Sequence, residues 1–254
     1  MCLILLAYKV HPDYKLIVAA NRDEFYKRST APAHFWEDDP DILAGRDLEK
    51  MGTWMGVTRS GRFAAVTNYR DPSEVKDGKR TRGEIPVGAL KHKGNLADFL
   101  KKLAAKDELY TGYNLLAGDG DDLYYYSNIS RRLQKLEPGI YGLSNALLDT
   151  GWPKVKKGKE KLRKIVAEKH NDFVDSLFSL LRDEERAPDH LLPKTGVPLE
   201  WERVLSPLFI KTDVYGTRSS TVLLMSEKSI YMQERTFTGD KGRMREFSWE
   251  LPEK

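Results

Sequence analysis

Met1-Cys2-Leu3-Ile4-Leu5-Leu6-Ala7-Tyr8 opens the chain; His11-Pro12-Asp13 follows, and then Leu16-Ile17-Val18-Ala19-Ala20. Both apolar runs are rich in β-formers and the stretch between them carries turn residues, so the pattern predicts a β-hairpin. A turn centred on Pro12 and Asp13 brings Cys2 beside Asp23, inside the tetrad Asn21-Arg22-Asp23-Glu24. Cys2 is the only cysteine and stands directly behind Met1. Removal of Met1 would leave a thiol and a free α-amine on one residue. That amine is a base with a pKa of roughly 7.7–8.0, and a nucleophile activated by its own amine suits acyl transfer. The plainer reading is a small core hydrophobe among Leu3, Ile4 and Leu5.

Further along, residues 54–59 and 62–69 flank Ser60-Gly61, a two-residue hairpin turn. Residues 71–82 are polar and read as a surface loop. Leu96, Phe99, Leu100 and Leu103 recur at helical spacing over 96–105. Residues 114–117 and 123–127 flank Gly118-Asp119-Gly120-Asp121-Asp122, another hairpin, and 139–144 is a short strand. Helices are predicted over 152–168 and 173–182. Strands close the chain at 217–226, 229–236 and 243–251. Strands, then helices, then strands again, with no long linker, indicate one α+β domain over residues 1–254: antiparallel sheets in the middle and helices outside.

A chain of 254 residues, 40% hydrophobic, can bury a large core without disulfides, and one cysteine can form no internal one. The net charge of +4 argues only weakly for an anionic partner. No run approaches the roughly 20 apolar residues of a membrane span, and the start lacks a basic leader, so a cytoplasmic protein without stable membrane insertion is expected. Oligomeric state is unreadable. No Cys/His cluster has zinc spacing, and no phosphate or dinucleotide loop is present. Asp119-Gly120-Asp121-Asp122 lacks the closing glutamate of a calcium loop. Neither metal nor cofactor is expected.

Four polar stretches remain, each at a strand end. Asn21-Arg22-Asp23-Glu24 sets two acids, a cation and an amide beside Cys2, or is a charged turn with a surface ion pair. Asn68 in Thr67-Asn68-Tyr69-Arg70 and Asn145 in Gly142-Leu143-Ser144-Asn145 could each present an amide N–H to an oxyanion, or simply end a strand. In Tyr215-Gly216-Thr217-Arg218-Ser219-Ser220-Thr221, Arg218 could pair with Asp23 or with a substrate carboxylate. Trp36, Trp54, Tyr69 and Tyr215 line an apolar pocket or belong to core and rim.

Cys2, these four stretches and Trp152-Pro153-Lys154, in this order, together resemble the NRDE family, also called the transport and Golgi organisation protein 2 family. That family is similar to the N-terminal nucleophile hydrolases, above all the penicillin acylase and bile salt hydrolase branch. The resemblance implies an αββα sandwich with Cys2 at the end of the first strand. It implies Asn21 and Asp23 as the Asn-x-Asp element supporting the nucleophile, Asn68 and Asn145 as oxyanion residues, and Arg218 as the late arginine. The branch has an arginine just before that Asn; this chain has Ala20 there, and Arg22 stands as its candidate substitute. The candidate catalytic set is therefore Cys2, Asp23, Asn68, Asn145 and Arg218, with Asn21, Arg22, Glu24, Tyr69 and Tyr215 supporting it or binding substrate.

The implied activity is hydrolysis of the C–N bond of a small-molecule, non-peptide acyl amide. One rival is a non-catalytic carrier of haem, lipid or acyl-CoA on the same scaffold. None of His11, His34, His92, His170 and His190 pairs with another at ligand spacing, so Cys2 would have to serve as the axial ligand. A second rival is a nucleic-acid or membrane-surface binder using the lysines of 154–169. Val155, Leu162, Ile165 and Val166 read instead as the apolar face of a docked helix whose lysines are solvated, and no nucleic acid is expected.

Overall fold

In the computed structural model, which describes residues 2–75, 77–168, 172–237 and 242–252, β1 (Cys2–Tyr8) and β2 (Leu16–Phe25) form the expected hairpin. Met1, Lys169 and His170 of the sequence reading lie outside the described residues. The register pairs Cys2 with Arg22, one residue short of the expected Asp23. The connection runs from Lys9 to Lys15 and so centres on Pro12 alone; a Lys9 N–H to Lys15 O bond of 2.8 Å closes it.

β3 (Thr30–Phe35) and β4 (Ile42–Asp47) precede β5 (Met55–Thr58) and β6 (Phe63–Asn68). The turn between the last two falls at Ser60-Gly61, where Gly61 takes φ 90°, a conformation suited to glycine. α1 (Glu84–Lys91), α2 (Leu96–Ala104), β7 (Tyr113–Gly118), β8 (Leu123–Ser127), β9 (Arg132–Lys135) and β10 (Gly139–Leu143) follow. Then come α3 (Pro153–Ala167), α4 (Phe173–Leu181), α5 (Leu199–Val204), β11 (Tyr215–Met225), β12 (Ser229–Thr236) and β13 (Arg243–Glu250).

Two antiparallel sheets result, ordered β10-β1-β2-β11-β12-β13 and β3-β4-β5-β6-β7-β8-β9. Their facing sides share one core, in which Ile4, Leu6 and Val18 of the first sheet meet Val57, Phe63 and Leu116 of the second. α1 and α2 cover the outer face of the second sheet through Ile85, Leu90, Leu96 and Leu100. α3 and α4 cover the outer face of the first through Val155, Leu162, Leu177 and Leu181, which meet Leu3, Leu5 and Ile17. The layers are thus αββα. Burying each such aliphatic side chain stabilises the sandwich by about 1.5–3 kcal/mol relative to exposure.

The lysines of α3 are less solvated than the sequence suggests. Lys157 and Lys161 both pair with Asp183, and Lys159 pairs with Asp149. Lys154 is buried at 3% exposure.

Candidate active site

Alternation along the strands decides which residues meet Cys2. Cys2 and Arg22 are cross-strand partners and share the face turned toward the second sheet, as does Glu24. Asn21 and Asp23 face the other way, toward the helices. Cys2 sits half-buried at the free end of β1 and lines a cavity of about 370 Å³. Arg22, Asp23, Glu24, Trp54 and Asn68 line it as well; none of the described histidines does. Burial and the charge of the Asp23 carboxylate push the Cys2 thiol up, while the Arg22 cation and a backbone hydrogen bond from Asp23 act in the opposite direction. The Arg22 guanidinium is 6% exposed and lies over the Trp54 ring at 4.3 Å. Its nearest carboxylate, Glu24, is 3.9 Å away. Trp54 can lie there because Gly45 has no side chain: a Cβ at Gly45 would stand 2.2 Å from the indole.

The two asparagines differ. Asn68, at the end of β6, faces the cavity. Asn145 is fully buried behind it, and its Nδ2 donates to Asn68 Oδ1 (2.9 Å) and to Asn68 O (3.0 Å). With Oδ1 so engaged, Asn68 Nδ2 makes no hydrogen bond among the described residues. Ser144 Oγ donates to Cys2 O and to Asn145 Oδ1, both at 3.2 Å, joining this pair to the start of β1. Asn145 therefore orients Asn68 and does not itself line the cavity.

On the helical face, Asn21 Nδ2 donates to Leu181 O (2.9 Å) and Leu208 O (2.8 Å), and Ser220 Oγ donates to Asn21 Oδ1 (2.5 Å). Asn21 anchors the end of α4 to the sheet. Asp23, 1% exposed, accepts 2.7 Å from Thr217 Oγ1. Burial pushes its carboxyl up, opposed by the Lys154 cation and the Thr217 bond. Lys154 in turn is held down at about 8 by burial, against the pull of Asp23, and its Nζ finds no hydrogen-bond acceptor among the described residues. Arg70 Nη1 pairs with the buried Glu202 of α5 at 2.5 Å and its guanidinium covers the Trp152 ring at 4.6 Å. Tyr215 is buried edge-on against Phe25, and burial holds its hydroxyl far above the usual range.

Arg218 does not reach Asp23. β11 carries a bulge between Thr217, opposite Asp23, and Ser219, opposite Arg22. The extra residue is Arg218, whose Nη1 donates to Phe25 O (2.9 Å) and Arg28 O (3.0 Å). Thr217 makes the contact to Asp23 instead. Tyr69 lies outside the cavity, its N–H bonded to Gly112 O. Trp36 is core, its indole N–H bonded to Ala44 O.

Sequence reading named Lys154 only in the run Trp152-Pro153-Lys154 and as one cation of a basic helix, and so missed its burial beside Asp23 and the orienting role of Thr217. It also missed the cations at the cavity mouth: Arg28, Lys50, Lys79, Arg80 and Arg82. With Arg22 they outnumber the lining acids Asp23, Glu24 and Asp47. The segment 79–83 that brings three of them gave no signal beyond polarity.

Residues 1–239 match the family described as Transport and Golgi organisation 2. The Transport and Golgi organization protein 2 homolog of Bos taurus is 36% identical over 262 residues, covering 94% of each chain. Among solved structures, the Caenorhabditis elegans ortholog of N-acylethanolamine-hydrolyzing acid amidase aligns with a TM-score of 0.55 at 11% identity, over 88% of this chain and 92% of that one. A mutant of the conjugated bile acid hydrolase from Clostridium perfringens aligns at 0.53 and 9%, over 96% of this chain and 92% of that one. At these identities the likeness is one of fold, that of the N-terminal nucleophile hydrolases.

Proposed function

This chain belongs to the Transport and Golgi organisation 2 family, and on that premise we propose that it is an N-terminal cysteine amidohydrolase acting on a non-peptide acyl amide. The observation that carries this reading is the position of Cys2: at the open end of β1, on a cavity wall, facing an asparagine whose amide nitrogen is uncommitted. The two solved neighbours are by name hydrolases, one an acid amidase and one acting on conjugated bile acids.

With Met1 removed, the α-amine of Cys2 takes the thiol proton and the sulfur bonds to the amide carbonyl carbon. Asn68 Nδ2 donates to the oxyanion. As the C–N bond breaks, the ammonium returns its proton to the leaving amine. Water then gives a proton to the α-amine and its oxygen attacks the thioester, and the carboxylic acid leaves as the thiol is restored. Asp23, fixed by Thr217, orients the α-amine, and Arg22 favours the thiolate.

Intact-mass analysis with a thiol-directed acyl probe tests the reading. The mature protein should lack Met1 and gain one acyl group, and Cys2→Ala should gain none. A mature protein that retains Met1 and still labels at Cys2 would defeat the amine-assisted step; labelling equal in Cys2→Ala would defeat the site.

A further inference from the structure

A second cavity, of about 620 Å³, shares Arg22 and Trp54 with the first but is not lined by Cys2. It opens between the sheets, with Thr30, Ala31 and Pro32 of β3 on one side and Arg218, Ser219 and Glu234 on the other. The bulge in β11 puts Arg218 on the same side as Ser219, where regular alternation would have turned it to the helices.

Two guanidiniums are therefore buried in one wall, Arg22 at 6% and Arg218 at 9% exposure. Arg218 has no carboxylate partner among the described residues, and its Nε makes no hydrogen bond. Arg22 Nη1 makes none either. Each cation raises the cost of the other, and Arg218 is held below the usual range by burial and by Arg22. Among the described residues Glu234 is the one acid of the lining; its Oε1 accepts from Ala33 N at 2.6 Å, and burial pushes its carboxyl up. Arg243 adds a further cation at the rim. Arg22 has Glu24 only at 3.9 Å. Buried cations so weakly countered are unfavourable, and an oxyanion in bidentate contact relieves that.

We propose that the second cavity is a subsite for an oxyanion, the carboxylate or phosphate of a small molecule, recognised by Arg218 and Arg22. Because Arg22 borders both cavities, the anion lies next to the carbonyl that Cys2 attacks, and the substrate class becomes an acyl amide bearing an anionic group. That last step rests on the amidohydrolase reading; the binding does not.

Isothermal titration of the full chain with inorganic pyrophosphate, and separately with glutarate, in zwitterionic buffer tests it. At least one probe should bind saturably, and which one does so separates phosphate from carboxylate. Arg218→Met should weaken binding by about tenfold or more, the loss of a charge-assisted contact. Arg243→Glu reverses a charge on an exposed strand position and should also weaken it, so it carries the test should Arg218→Met fail to fold. Lys79→Met and Arg80→Met, at the mouth of the Cys2 cavity, should leave affinity within about twofold. The proposal is overturned if neither probe saturates, if both Arg218→Met and Arg243→Glu bind like the wild type, or if the loss is confined to Lys79→Met and Arg80→Met. Titration reads binding without turnover, so a protein that never acylates Cys2 still answers it.

Discussion

At the scale of single residues, the contact between two asparagines separates two roles that the sequence could not. On the proposed mechanism Asn68→Ala removes the oxyanion donor and should slow acylation of Cys2 about 10²–10³-fold, with KM little changed. Asn145→Ala leaves that donor in place but unoriented, so its loss should be smaller; single-turnover acylation rates compare the two. Lys154 gives a pH signature. Its folded value of about 8 lies below its ordinary 10.5, so the native state binds fewer protons than the unfolded chain between those limits. Stability from this group accordingly rises with pH across that window, by on the order of 3 kcal/mol. Urea denaturation from pH 7 to pH 11 should show that Lys154→Met is more stable than the wild type near pH 7, and the gap should close toward pH 10.5. Periodicity and charge do not distinguish this lysine from Lys156 or Lys164. Only the packing of the first turn of α3 on β1 and β10 buries it.

At the scale of elements, the close contact of Gly45 on β4 with the Trp54 indole holds up the wall between the two cavities. Gly45→Ala should force Trp54 off Arg22, lower the urea midpoint by an amount equivalent to about 1–3 kcal/mol and change tryptophan emission. The Arg70–Glu202 pair ties α5 to the end of β6. Glu202→Ala leaves a cation in a buried setting and should cost about 3–5 kcal/mol by the same measurement. The hairpin of β1 and β2, the turn at Gly61, α2, α3, α4 and the three closing strands were legible because apolar periodicity and turn chemistry agree there. β3 and β4 were not, since Pro32, Gly45 and Arg46 obscure the alternation and Pro32 is tolerated only because β3 is an edge strand. α1 was missed because Pro86 and Gly88 interrupt its eight residues. The one-residue error at Cys2 arose from loop length, which residue types alone leave open.

At the scale of the whole molecule, the cleft between the sheets collects positive charge although the chain as a whole is nearly balanced, at +4. Low-dielectric walls concentrate such a field. At one fixed alkaline pH and low salt, an anionic thiol reagent should modify Cys2 about tenfold faster than a cationic one of equal intrinsic reactivity, and 0.5 M salt should largely erase the difference. Equal rates at low salt would mean that the excess of cations is screened before it reaches the thiol. The bulge at Arg218 has a further consequence for how this chain tolerates change in length. Upstream of it, β11 presents Thr217 to Asp23; downstream, it presents Ser219 to the space between the sheets. Excising that single position would leave Thr217 next to Ser219, the two still opposite Asp23 and Arg22, so the ladder would close into regular register. A codon deletion there would therefore remove one cation and a local kink, while every other side chain of the strand keeps its face.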